Sequence, residues 1–382
     1  MSDNTPIEWA RHPVTGKGAT WNPITGCRLV SEGCRHCYAA RLAATRMKNH
    51  PSRKGLARAN AAGEFKFTGE VRFNAEWLDQ PLRWRAPRGI FVCAHGDLFA
   101  EGVTDEMIDK VFAVMALCGS MPSRSLRSSP LGHVFFVLTK RPERARAYLS
   151  DPATIRRVYE LVCDIAVEGE ENVVLVPPGL DPDLAPRGRR VPLDRWPLPN
   201  VWLGTSIEDQ ATADKRVPEL LATPAAIRFV SAEPLLGEVD FTAICTGHYF
   251  IDALRGLKYH DAPEGVHSAT EACARLDWII TGGESGPHAR PMHPAWARSL
   301  RDQCAAARGE ERASATGTNE GVPFLFKQWG QMRPVCERRL PELAAEKITV
   351  KQIDGQHYAI VGKSRSGRLL DGIEHNSMPE IA

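Results

Sequence analysis

The chain has 382 residues, 43% of them hydrophobic and 25% charged, with a formal net charge of only +2. That length suits one large α/β barrel or two ordinary domains, and the near-neutral balance removes bulk charge as an argument for long contact with duplex nucleic acid. No apolar run approaches the ~20 residues that span a bilayer, and the opening "MSDNTPIEWARHPVTGKG" lacks the apolar centre of a signal peptide, so a cytoplasmic location is the expectation.

In chain order, the first feature is a possible strand, "ATWNPITG", leading into "TGCRLVSEGCRHCYAAR" and a helix-like "YAARLAATRMKN". Six segments then read as strands: "GIFVCAH" (89–95), "HVFFVLT" (133–139), "NVWLGTS" (200–206), "IRFVSAE" (227–233), "DWIITGG" (277–283) and "VPFLFKQ" (322–328). They are nearly continuous apolar runs, the pattern of strands buried on both faces of a parallel sheet. Helix-like stretches follow four of them: "TDEMIDKVFAVMALC" with Thr104 as N-cap, "PERARAYLSD", "ATADKRVPELLAT" and "HPAWARSLRDQCAAA". Strands alternating with helices predict βαβ units and a parallel sheet, open or closed. Residues 119–132, 168–199, 245–270 and 308–321 read as loops or insertions, and the stretch from Arg338 onward as an appendage. We therefore expect a barrel over 1–335 and a C-terminal appendage over 336–382.

Each strand ends in polar groups: Asp97; Lys140 and Arg141; Ser206 and Glu208; Ser231 and Glu233; Gly282, Gly283, Glu284 and Ser285; Lys327. In parallel α/β folds the C-terminal strand edge holds the ligand site, so these ends predict one shared polar pocket. Ordinary loop polarity is the bland alternative.

Of ten cysteines, seven are scattered singly, as small buried residues are. Cys27, Cys34 and Cys37 are separated by six residues, then two. In a reducing compartment such clustering reads as metal or redox chemistry rather than disulfides. Zinc wants four tetrahedral ligands; Cys34-x-x-Cys37 is half such a site, with Cys27 as a third ligand and His36, His50 or Cys93 as the fourth. The other reading is an iron–sulfur cluster held by thiolates, in which three cysteines leave one iron open.

The stretches "TWNPITGCRLVSEGCRHCYAARLA", "LTKRPERA", "NVWLGTSIEDQATADKRVPELLATPAAIRFVSAEPLLGEVDF", "DWIITGGESGPHARPMHPAWARSLRDQC" and "GVPFLFKQWG" resemble an uncharacterised phage and bacterial protein family with a three-cysteine motif, described as radical S-adenosylmethionine-like. The resemblance spans most of residues 20–330, and the late "GRLLDG" and "MP" fit it. The wider superfamily usually spaces its cysteines by three residues and then two, with an aromatic residue where this chain has His36. The resemblance implies a partial (β/α)6 TIM-like barrel and a [4Fe-4S] cluster on Cys27, Cys34 and Cys37. It also implies S-adenosylmethionine as cofactor, a 5′-deoxyadenosyl radical and an electron donor.

On that reading Glu284, between the glycines of "GGESG", meets the cofactor ammonium. Ser206, Glu208, Ser231 and Glu233 meet ribose hydroxyls or substrate. Lys140 and Arg141 pair with a carboxylate or phosphate, and Asp97 and Lys327 complete the pocket. Basic clusters at 46–58, 123–129 and 362–368, with Trp77, Trp84 and Trp329 as stacking surfaces, point to a nucleic-acid or nucleotide substrate. Two other classes stay open: a non-catalytic interaction module stapled by zinc or a cluster, and a metal-dependent hydrolase, for which the strand ends hold few histidines.

Overall fold

The computed structural model describes residues 4–119, 132–169, 173–176, 189–192, 196–260, 269–307 and 321–380. Its centre is a seven-stranded, all-parallel sheet curled into an open half-barrel: β1 (Gly18–Trp21), β2 (Gly89–Val92), β3 (Val134–Thr139), β4 (Val201–Ile207), β5 (Ile227–Ala232), β6 (Trp278–Gly282) and β7 (Phe324–Gln328). The strands lie side by side in chain order, each parallel to the next. All six apolar runs and the possible first strand form this sheet.

Both faces of the sheet are buried, which is why the strands read as unbroken apolar runs. Outward residues such as Ile90, Val92, Phe135, Val137, Leu203, Val230 and Ile279 pack in the main core, which includes buried side chains of the surrounding helices. The helices are α1 (Tyr38–Ala44), α2 (Asp105–Gly119), α3 (Pro142–Ser150), α4 (Pro152–Gly169), α5 (Gln210–Leu221) and α6 (Pro294–Ala306). Helix α2 starts directly after Thr104, and α5 is fixed by a capping box in which Asp209 accepts from Thr212 N at 2.9 Å. Helix α4 was not anticipated.

Inward residues follow the two-residue strand period. Near the N-terminal ends they are aromatic: Phe91, Phe136, Trp202, Phe229 and Trp278 close around Trp9 of the leading segment. Trp9 lies 4.7 Å from Phe91 and 6.4 Å from Trp278, centroid to centroid. Two residues further along, the inward positions include Leu138, Gly204 and Ile280. Beyond them they turn polar: Ser206, Ser231, Glu233 and Lys327. One end of the half-barrel is therefore plugged and the other lined with polar groups.

Two expectations change. Among the described residues between β5 and β6, four short strands, Ile244–Cys245, Phe250–Asp252, Leu257–Tyr259 and Ala269–Ala272, pair as an antiparallel sheet. Its strands are too short to show an alternating pattern. The C-terminal region holds a three-stranded antiparallel sheet that begins at Met332–Val335, and the tail then returns to the half-barrel. Asn376 bridges Leu325 of β7, and Trp278 Nε1 donates to Ser377 O at 2.9 Å. The tail covers an edge strand that would otherwise expose unpaired backbone. The 308–321 and 119–132 stretches lie almost wholly outside the described residues, as does the 123–129 basic cluster.

Candidate functional site

The polar end of the half-barrel opens into a cavity of about 690 Å³, within the usual range of small-ligand sites, about 300–1,000 Å³. Cys27, Cys34 and Cys37 all line it. So do Asp97, Lys140, Arg141, Ser206, Ser231, Glu233, Gly283, Glu284, Ser285 and Lys327, drawn from the ends of β2 to β7. The shared pocket expected from the strand ends is present. Glu208 and Gly282 are not on its wall.

Glu208 holds the cysteine loop instead. It is 1% exposed, pairs with Lys140, and accepts from Arg216 Nη1 at 3.0 Å and from Ser31 Oγ at 2.9 Å. The loop backbone presses on it: a Cβ added to Gly33 would sit 2.3 Å from Glu208 Oε1. On another side of the loop, Arg290 Nη2 donates to Glu32 O at 3.0 Å and to Glu284 Oε1 at 2.7 Å, while Arg290 Nε donates to Glu284 Oε2 at 3.0 Å. On a third side, Arg141 Nη2 donates to Arg28 O at 3.1 Å, and Arg141 Nη1 lies 3.7 Å from Cys27 Sγ.

These contacts give several of the expected site residues partners within the protein. Glu284 is forked by Arg290, so its charge is already compensated where an ammonium was expected. Lys140 is taken by Glu208. Arg141 pairs with Asp97 at 3.0 Å and Glu101 at 2.8 Å. Asp97 also accepts from Thr139 Oγ1 at 2.7 Å and from Lys140 N at 3.1 Å, tying the end of β2 to that of β3. Glu233 accepts from Lys327 Nζ at 2.8 Å on both oxygens. The glycines of "GGESG" do permit close approach, but to protein: a Cβ on Gly283 would lie 2.2 Å from Trp329 O.

The electrostatics of the thiols are mixed. Burial, then Asp97, pushes the Cys27 thiol up to about 12, against the pull of Arg141. Burial also raises Cys37, opposed by the N–H groups of Ala40 and Ala39. Around them the wall is basic, with seven Lys or Arg side chains against three carboxylates. Among the described residues, no three His, Cys, Asp or Glu side chains are grouped to hold a metal ion. His36 and His50 line the cavity, whereas Cys93 is buried in the core and off its wall.

Of the three tryptophans, Trp77 lines the cavity. Trp329 is buried against Phe326, and Trp84 packs on the core beneath Arg88. Sequence reasoning missed Arg53, His95, Tyr38 and Lys363 as individual wall residues, although Arg53 and Lys363 fall inside noted basic clusters. It also missed Arg290, whose partners become visible only once the Glu284 loop and the cysteine loop are brought together.

Fold and site together define an open parallel α/β half-barrel with a basic, thiol-bearing cavity at the C-terminal ends of its strands. A family model described as a protein of unknown function (DUF5131) matches residues 4–379, and the chain belongs to that family. No curated protein and no solved structure matches it. Among the described residues, no helix is long and apolar enough to cross a membrane.

Proposed function

We propose that this chain is a radical S-adenosylmethionine-type iron–sulfur protein of the cell interior, acting on a nucleotide or nucleic-acid substrate. The observation that carries the reading is the convergence of Cys27, Cys34 and Cys37 on one cavity with the polar ends of six parallel strands. Thiolates are the ligands that hold an iron–sulfur cluster, and three of them share this wall. Arg141 reaches toward the same place: its Nη1 lies 3.7 Å from Cys27 Sγ, and its Nε is buried without a hydrogen-bond partner in the described structure.

On this reading Cys27, Cys34 and Cys37 hold the cluster. If bound there, the cluster and S-adenosylmethionine would supply radical chemistry driven by an electron from a donor protein. The chain's own residues do the positioning. Glu208, Arg290 and Arg141 hold the cysteine loop in register with the strand ends. Ser206 and Ser231 offer hydroxyls to the cofactor or substrate, and the Glu233–Lys327 pair offers both signs of charge. The aromatic plug around Trp9 closes the far end.

The test is anaerobic purification followed by reduction with S-adenosylmethionine present. A brown protein whose visible absorbance is lost in Cys34→Ala, together with 5′-deoxyadenosine formation, is the expected result. An intact cluster that never yields 5′-deoxyadenosine would refute the catalytic claim.

A further inference from the structure

Every carboxylate on the cavity wall has a cationic partner: Asp97 with Arg141, Glu233 with Lys327, Glu284 with Arg290. The converse fails at Arg53. This side chain lines the cavity, yet the residue is only 3% exposed. Among the described residues it has no carboxylate at ion-pair distance. Its contacts are neutral: Nη1 donates to Ser52 Oγ at 2.7 Å and Ser52 O at 3.3 Å, and Nη2 donates to His95 Nδ1 at 2.5 Å.

A buried charge is ordinarily paired, because its lost hydration must be replaced. Burial pulls the Arg53 guanidinium down to about 10, as befits a cation lacking a counter-charge. The guanidinium carbon lies 5.8 Å from the centroid of Trp77, and His50 packs against the same indole at 5.9 Å. Trp77, His50 and His95 all face the cavity. A guanidinium whose hydrogen-bond partners are all neutral, beside an indole, matches a ligand that carries an oxyanion next to a flat ring.

We infer that Arg53 receives the phosphate of the substrate, with Trp77 beside its base, so that the substrate is a nucleotide, free or at the end of a single strand. The inference rests on the nucleotide reading above, but it requires neither the cluster nor radical chemistry. Phosphate provides the counter-charge that the protein withholds, and the compensated carboxylates elsewhere on the wall leave Arg53 as the buried cation that needs one.

The test is titration calorimetry on the full chain as purified, with four nucleoside 5′-monophosphates, the matching nucleosides, inorganic phosphate, and a single-stranded hexanucleotide with and without a 5′-phosphate. At least one monophosphate or the phosphorylated strand should bind tenfold or more tighter than its phosphate-free counterpart. Arg53→Gln should erase that preference, Arg53→Lys should keep part of it, and Trp77→Ala should weaken nucleotide but not inorganic phosphate. Preference for the monophosphate identifies a free nucleotide, and preference for the phosphorylated strand identifies a strand end. Equal affinity with and without phosphate, no binding by any probe, or an undiminished preference in Arg53→Gln would overturn the inference. If Arg53→Gln fails to fold, the wild-type comparison and Arg53→Lys still decide. Missing iron would leave a measured phosphate preference standing, and a missing preference would leave an iron result standing.

Discussion

The carboxylate of Glu208, just past the end of β4, accepts a hydrogen bond from Ser31 Oγ at 2.9 Å, joining two residues 177 positions apart. Glu208 also pairs with Lys140 and the buried Arg216, so the cysteine loop rests on a charge cluster that the half-barrel itself assembles. Glu208→Ala should cost about 3 kcal/mol, because it strands a buried guanidinium. It should also speed alkylation of Cys34 severalfold. Urea unfolding and mass-resolved iodoacetamide labelling measure the two effects, and unchanged labelling would show that Glu208 does not hold the loop.

Gly33 gives a steric version of the same test. An added Cβ would lie 2.3 Å from Glu208 Oε1, and both atoms belong to packed groups. Gly33→Ala should displace the loop and, on the iron–sulfur proposal, lower iron content at least severalfold while the rest of the fold stays intact by circular dichroism. Normal iron loading would contradict the close fit.

Arg290 clamps the opposite side. Its fork compensates Glu284, whose side chain is 5% exposed, while Arg290 itself is 29% exposed. Arg290→Met should therefore destabilise by about 2–3 kcal/mol, below the full penalty of a buried unpaired carboxylate because solvent reaches the rim. The double variant Arg290→Met with Glu284→Leu should recover part of that loss. Additive losses in chemical denaturation would mean that the pair is not coupled.

The plug at the closed end answers to packing alone. Trp9→Ala should cost about 3–5 kcal/mol through the cavity it leaves among five aromatic rings. Gly204→Ala should cost about 1–3 kcal/mol by overpacking, since its Cβ would meet the Phe229 ring at 2.5 Å. Thermal melts with an unchanged midpoint in either variant would contradict the packing described.

Acid should loosen the cavity through His95. Burial, then the neighbouring Arg53, pulls this imidazole down to about 4 from 6.5. The folded state therefore holds it neutral and binds fewer protons than the unfolded state between those values. Its contribution is full above about pH 6.5 and is lost as pH falls through about 4, on the order of 3 kcal/mol. His95→Asn should flatten the fall in stability across that window. A variant whose stability falls as steeply as the wild type would remove His95 from the account.

How much of this was legible depends on the range of the interactions. Six of the seven strands showed as apolar runs because both sheet faces are covered, the first showed only as a possible strand, and the polar residues that end the six marked the cavity edge. The three thiols announced themselves by spacing. The aromatic plug was hidden inside the same runs: Trp202, Phe229 and Trp278 look like any buried strand residue until the curl of the sheet brings them around Trp9. The ion pairs were hidden for a related reason. Glu284 and Arg290 are six residues apart and Lys327 and Glu233 ninety-four, and no local pattern assigns partners over such gaps. Arg53 sits in the basic run 46–58, and only its burial separates it from its neighbours.

The central claim is that Cys27, Cys34 and Cys37 hold an iron–sulfur cluster with an open iron. The most direct measurement is iron, sulfide and zinc analysis of anaerobically purified protein, with an electron paramagnetic resonance spectrum of the reduced form before and after S-adenosylmethionine is added. About four irons and four sulfides per chain, with a signal that changes on adding the cofactor, is the expected result. Stoichiometric zinc without iron would contradict the claim and leave the three cysteines as a structural staple.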